Sequence, residues 1–232
     1  MTNQIFSYKG YSFDNQDLLS GLPDAICKSI VKNKITVYFK AGESIFIEGN
    51  EPKGIYRIIK GKVKKFTATN FGTEHIFYIC KESEYLGYHA VLSEELYRDS
   101  ATALIDCEIE FIPKGDFLNA VDKSHKLSHR LLKNLSHEFG VFLNATKLLA
   151  KYTVRERVAQ NLLILESKFR EDTGEDTEII INRDDLSSMV GTAKESLVRM
   201  LKDFKEEKLI TTKGRSIFIK DNKGLTKASN FN

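Results

Sequence analysis

Five residues near the C-terminal end, Lys194, Glu195, Val198, Arg199 and Lys202, recur at steps that place them on one face of a helix if the stretch KESLVRMLKDFKEE is helical. That set of side chains could read nucleic acid. An α-helix fits the major groove, where an Arg fork can grip guanine O6 and N7 and a carboxylate can accept from cytosine N4. Glu195 and Arg199 stand one turn apart and could address neighbouring base pairs. Taken singly, Lys202 and Lys205 are better explained as an ordinary solvated face with i, i+4 charge pairs, and Glu195 equally well as a cap.

The elements that would hold this face can be read from the flanking residues. Leu197, Leu201 and Phe204 lie at i, i+4 and i+7 and should pack inward. Ahead of them, Asn182 can N-cap a short helix with Asp185 at its N3 position and Leu186, Met189 and Val190 on one face. Gly191 ends that helix. Thr192 is then expected to cap the next one, with Glu195 three residues on in a capping box, so Glu195 has two candidate roles, cap and reader. Beyond the second helix, Leu209 to Thr212 and Ser216 to Ile219 read as strands around Lys213, Gly214 and Arg215, a hairpin turn bearing two cations where a wing would meet phosphates. Helix, tight turn, helix and wing make a winged helix-turn-helix.

The run VGTAKESLVR from Val190 to Arg199, followed by Leu201, Leu209, Ile210 and Gly214, resembles the recognition motif of the CRP/FNR superfamily of bacterial transcription regulators. The resemblance implies that a basic residue, a Glu and an Arg of this helix read base edges. Glu195 and Arg199 match, Lys194 stands where the cyclic-AMP-responsive branch has Arg, and Arg183 matches a phosphate-contacting position. Thr192, Val198, Lys202, Lys213 and Arg215 complete the expected DNA-binding set.

Composition agrees with such a division of labour. From Asn182 onward there are 11 Lys and Arg against 7 Asp and Glu, an excess of 4, while the whole chain of 232 residues carries a formal charge of only +3. The cationic surplus therefore sits at the end expected to read DNA. No stretch approaches the roughly 18 apolar residues of a membrane span, and the opening MTNQIFSYKG lacks a signal-peptide pattern, so a cytoplasmic protein is expected. Cys27, Cys80 and Cys107 are scattered and lack CxxC spacing, which fits reduced thiols and sets the chain apart from the superfamily's cluster-bearing, oxygen-sensing branch. No nucleophile motif, phosphate loop or HxH metal pattern is visible, so no enzyme, cofactor or metal is expected; His125 and His129, at i, i+4, read as solvent-facing.

From Ile35 onward the texture is β-rich, with short runs (ITVYF, SIFI, GIYRII, KVKKFTA, HIFYI, ATALI, CEIEFI) and turns every 8 to 12 residues, the rhythm of a sandwich or barrel. The turns at Lys40-Ala-Gly-Glu43, Glu48-Gly-Asn50 and Gly54 to Val63 resemble the jelly-roll sensor of cyclic-nucleotide-binding proteins. The expected fold is α+β: a jelly-roll sensor domain over residues 1–122, a dimerisation helix and hinge over 123–152, and a winged helix-turn-helix domain over 153–232. On the long helix, Leu132, Leu135, Phe139, Phe142, Thr146 and Leu149 step 3, 4, 3, 4, 3, the seam of a two-stranded coiled coil, while Leu127, Leu131 and Leu148 offer a second stripe for the chain's own core. The seam could also pack on that core alone. Thr153 and Glu156 frame another capping box.

The resemblance also implies a ligand pocket, with a Gly-Glu pair for the ribose and an Arg eleven residues after that Gly for the cyclic phosphate. Here the pair is Gly87-Tyr88, Arg98 keeps the spacing but is followed by Asp99, and the polar pair of the family's dimer helix falls on Phe142 and Leu143. Cyclic AMP is therefore not the expected effector. A pocket lined by Tyr85, Gly87, Tyr88, His89, Arg98 and Phe142 would take a different, more apolar molecule whose identity is open, and Asp99 could pair with Arg98. The resemblance implies a homodimer on a palindromic operator in double-stranded DNA, working with RNA polymerase. The competing account is a ligand-binding regulatory module whose helix-turn-helix makes protein contacts.

Overall fold

The computed structural model describes residues 10–15, 18–69, 72–170 and 177–230. The chain opens with α1 (Asp24–Ile30) and enters a run of strands: β1 (Ile35–Phe39), β2 (Ser44–Phe46), β3 (Gly54–Lys60), β4 (Val63–Ala68), β5 (Glu74–Cys80) and β6 (Tyr85–Leu86). A short α2 (Tyr88–Ser93) interrupts them before β7 (Ser100–Ala103) and β8 (Cys107–Pro113). Then come α3 (Lys114–Lys123), the long α4 (His125–Lys151), α5 (Val154–Phe169), β9 (Ile179–Ile180), α6 (Arg183–Val190), α7 (Lys194–Glu206), β10 (Ile210–Lys213), β11 (Ser216–Ile219) and α8 (Asn222–Ala228).

The strands form an antiparallel sheet in the order β1-β8-β3-β6, a second in the order β2-β7-β4-β5, and a small third in the order β10-β11-β9. Burial on the central strands departs from strict alternation, and β3 carries a register irregularity between Ile58 and Lys60. Ile55 and Ile58 of β3 and Ile109 and Ile112 of β8 are wholly buried, while β7 is covered on both faces and carries only small residues. Phe46 of β2 stacks on Tyr56 of β3 at 5.8 Å and on Tyr97 at 4.2 Å, so aromatic faces join the two larger sheets into a β-sandwich.

Two compact units result: one comprises residues 13–67 and 78–140, the other the residues up to Ser12, residues 68–77 and residues 141–232. Helix α4 thus contributes to both. Its Leu127, Leu131 and Leu148 are buried, the first two within the unit that holds the larger sheets and Leu148 within the other. The Thr153–Glu156 capping box forms, with Thr153 N–H donating to the Glu156 carboxylate at 2.7 Å and Glu156 N–H to Thr153 Oγ1 at 3.3 Å. Two helices escape sequence reading: α2 and the C-terminal α8, both of seven residues or fewer and too short for a 3.6-residue period to show. The acidic run Glu171 to Glu178 reads as a loop and Asn70-Phe71-Gly72 as a turn; residues 171–176 and 70–71 of these lie outside the described residues.

Gly61, between β3 and β4, has a φ of +109°, and a Cβ there would stand 2.5 Å from Cys107 Sγ and 2.8 Å from the Asp106 carbonyl. Only glycine tolerates both conditions. Gly61→Ala is expected to lower unfolding free energy by about 1–3 kcal/mol, read as a lower urea midpoint at unchanged slope.

Candidate functional site

The helix-turn-helix is assembled from its caps. Asn182 Oδ1 accepts from Asp185 N–H at 2.7 Å and starts α6, which closes at Gly191 with a φ of 69°. The N–H groups of Gly191 and Thr192 both donate to the Ser187 carbonyl, at 2.9 and 3.1 Å. This closure corrects the expected second cap. Because Thr192 is drawn back into the turn, α7 starts one residue later, its N-cap is Ala193, and no side chain caps it. Glu195 therefore holds no capping bond. It is exposed and has no partner among the described residues, as does Arg199.

Leu197, Leu201 and Phe204 are buried under α7, and the Arg155 guanidinium lies 4.6 Å above the Phe204 ring while binding Glu207 at 2.7 Å. On the opposite face Val198 leaves 48% of its surface in solvent, beside Glu195, Arg199 and Lys202. An aliphatic side chain there suits a thymine methyl. Lys202 pairs with Glu206 one turn away at 3.7 Å, and Lys194 pairs with Asp184 of α6 at 2.8 Å.

In the wing, Lys213 pairs with Ser216 across a two-residue turn of Gly214 and Arg215, so both wing cations are exposed at the hairpin tip. Strand β9 adds a third strand through Ile179 and Ile180 against Ile217 and Ser216, a pairing two residues long and invisible to pattern reading. Arg183 reaches the Gly214 carbonyl with Nη2 at 3.4 Å, while its Nη1 is buried and has no partner among the described residues.

Arg157, which no motif singled out, holds this region together. Its Nε donates to Val190 O at 2.9 Å, Nη1 to Tyr152 O at 2.8 Å and Nη2 to Gly191 O at 3.0 Å. One guanidinium thus satisfies carbonyls at the ends of both α4 and α6. On α4, Leu132 and Phe139 are each 64% exposed and Leu149 41%, Leu135 and Phe142 are half-buried, and Thr146 is exposed. An apolar stripe of that length in water is a surface prepared for burial.

The β-sandwich interior is occupied by charge. Lys65, almost wholly buried, lies 2.7 Å from Asp99 Oδ2 and 3.4 Å from Glu138 Oε1, and its ammonium sits 5.2 Å from the Tyr78 ring centre. Tyr78 donates its hydroxyl to Glu138, and His89 Nε2 is 3.3 Å from Asp99 Oδ1. Burial opposes ionisation of Lys65, but Glu138 and Asp99 outweigh it and raise its pKa above the ordinary lysine value. Burial likewise opposes the Asp99 carboxylate, yet Lys65 and His89 hold its pKa below the usual range. Desolvation and Glu138 push the Tyr88 hydroxyl upward, keeping it neutral.

The residues expected to line an effector pocket take different places. Tyr88 and His89 turn towards the charge network, and Gly87 is the left-handed residue before α2. Tyr85 packs beneath Arg57, 5.9 Å from its ring centre, with its hydroxyl pushed up to about 12 by desolvation. Arg98 points outward and meets Glu95 at 3.5 Å, so it is not the partner of Asp99. Phe142, in the other unit, stands edge-on to Phe77 at 5.1 Å. Among the described residues no group of three or more His, Cys, Asp and Glu could hold a metal ion, and no helix is long and apolar enough to cross a membrane.

Comparison with known proteins finds the family model of the cyclic nucleotide-binding domain over residues 36–124 and that of the Crp-like helix-turn-helix domain over residues 156–228. The chain is 26% identical over 188 residues to the fumarate and nitrate reduction regulatory protein of Yersinia pestis, covering 79% of this chain and 74% of that protein. It is 24% identical over 212 residues to the CRP-like cAMP-activated global transcriptional regulator of Mycobacterium tuberculosis, covering 90% and 95%. Among solved structures, FixK2 from Bradyrhizobium japonicum superposes with a TM-score of 0.76 at 18% identity, over 86% of this chain and 98% of that one. The c-di-GMP responsive global regulator CLP of Xanthomonas campestris does so with a TM-score of 0.69 at 17% identity, over 85% and 99%. Proteins named for different effectors share this fold.

Removing one member of a buried ion pair strands the others, so Lys65→Met is expected to cost about 3–5 kcal/mol in urea unfolding. Because the Asp99 pKa is depressed on folding, its contribution is present at neutral pH and is lost as pH falls through the folded value. In acid titration followed by circular dichroism, Asp99→Asn should be less stable at pH 7 yet show a flatter acid limb.

Proposed function

From the premise that this chain belongs to the CRP/FNR family of transcription regulators, with a cyclic nucleotide-binding domain and a Crp-like helix-turn-helix, we propose that it binds a palindromic operator as a homodimer, without cyclic AMP as its signal. It is a DNA-binding regulator and not an enzyme. The observation that carries the operator reading is the outer face of α7, where Glu195, Val198 and Arg199 stand exposed and the first and last have no partner among the described residues. Lys213 and Arg215, exposed at the wing tip, add donors suited to phosphates.

The stripe of Leu132, Leu135, Phe139, Phe142, Thr146 and Leu149 supports a parallel pairing of two α4 helices. A two-fold axis along that seam presents two recognition helices to half-sites about one DNA turn apart. Family membership supports contact with RNA polymerase in the cytoplasm.

The sensor interior argues against a cyclic phosphate. Arg98, at the spacing the family uses for phosphate, faces solvent, and the interior cation, Lys65, is already bound by Asp99 and Glu138. An entering phosphate would meet two carboxylates and would have to displace one from a short, buried contact. Gly87-Tyr88 supplies no carboxylate for a ribose.

Arg199→Ala is expected to cost about 1–3 kcal/mol on the operator and to relax preference at one G·C pair, measured by selecting bound sequences from random DNA. Retained preference would disprove this register of α7. Phe139→Glu should convert the dimer to monomers in sedimentation, and titration with cyclic AMP should release no binding heat and leave DNA affinity unchanged.

A further inference from the structure

Lys194 and Asp184 join the start of the recognition helix to the start of α6 through side-chain charge. The ammonium lies 2.8 Å from Asp184 Oδ1 and 2.9 Å from Oδ2, so it engages both carboxylate oxygens. Helix polarity favours this arrangement. Lys194 is the first residue of α7, where the positive end of the helix dipole disfavours a cation, whereas Asp184 sits in the first turn of α6, where a carboxylate is favoured.

We propose that Asp184 is a positioning residue that withholds Lys194 from DNA, acting as an internal counter-ion in the phosphate-facing surface. The proposal rests on the assignment of α7 as the DNA-reading helix. Around it, Arg183, Lys213 and Arg215 are cations without a carboxylate partner among the described residues. Asp184 is a carboxylate in that surface, and its side chain is 71% exposed. DNA affinity has a sequence-independent part set by the number of cations that neutralise phosphates and release counterions. A Lys already neutralised by its own carboxylate adds nothing to that number. For Lys194 to reach a phosphate or a guanine, it must leave Asp184, and the freed carboxylate then repels the backbone beside it. Sequence reading is accordingly left to Glu195, Val198 and Arg199, and non-specific binding is held down by one contact.

An exposed pair of this kind contributes little to folding stability, so replacing it leaves the fold intact. The test uses the full chain, a selected operator and a scrambled duplex, with affinities measured across a salt series. Asp184→Asn should raise affinity for both duplexes about threefold at moderate salt and steepen the slope of log affinity against log salt by about 0.9, the signature of one added phosphate contact. Lys194→Met in the same background should cancel both changes, while Lys194→Met alone should leave operator preference as it was. The proposal is overturned if Asp184→Asn leaves the slope unchanged or lowers affinity, or if Lys194→Met alone weakens operator binding as much as Arg199→Ala. Failure of the underlying DNA assignment would look different, because the unaltered chain would then select no sequence at all.

Discussion

The helix-turn-helix of this molecule depends on one guanidinium. Arg157, near the start of α5, donates to the carbonyls of Tyr152, Val190 and Gly191, so a single rigid fork fixes the end of the long helix and the turn that aims the recognition helix. Carbonyls at helix ends have no partner within their own helix, and a planar cation meets several of them at once. Desolvation lowers the Arg157 pKa, yet the group stays charged because arginine starts so high. Gly191 completes the arrangement. It must adopt a left-handed φ, and any Cβ would stand 2.6 Å from Leu149 Cδ2, so turn and helix approach as only glycine permits.

A second constraint governs the β-sandwich. A buried lysine with two carboxylates is costly to build, and it persists only when geometry and hydrogen bonds offset the desolvation of its members. Here Tyr78 and Tyr88 lie against Glu138 and His89 against Asp99, so the buried charges have polar neighbours. The interior cation, Lys65, is already bound by Asp99 and Glu138.

Much of the architecture was legible because local periodicity and chain turns report local structure. The caps at Asn182 and Thr153, the glycine at Gly191, the strand rhythm from Ile35 and the two stripes of α4 all depend on residues within a few positions of one another. The motif from Val190 to Arg199 added the function class through its resemblance to a known family's recognition motif, which periodicity alone does not supply. Thr192 shows where such reasoning stops. Its spacing to Glu195 fits a capping box, but a backbone bond to Ser187 draws it into the turn, and that competition is settled by three-dimensional closure.

Sequence by itself determined the fold class, the order of the sensor and helix-turn-helix domains and the outward face of α7, because each is written in spacing or in residue type. Only the tertiary structure decided the partners of charge. Asp99 follows Arg98 in the chain but binds Lys65, Lys194 binds Asp184 ten residues earlier, and Arg157 reaches carbonyls thirty-three and thirty-four residues away. Coulomb attraction is not periodic along a chain. It selects whichever opposite charge the packed backbone brings within a few ångströms, and that choice is made only when the fold is complete.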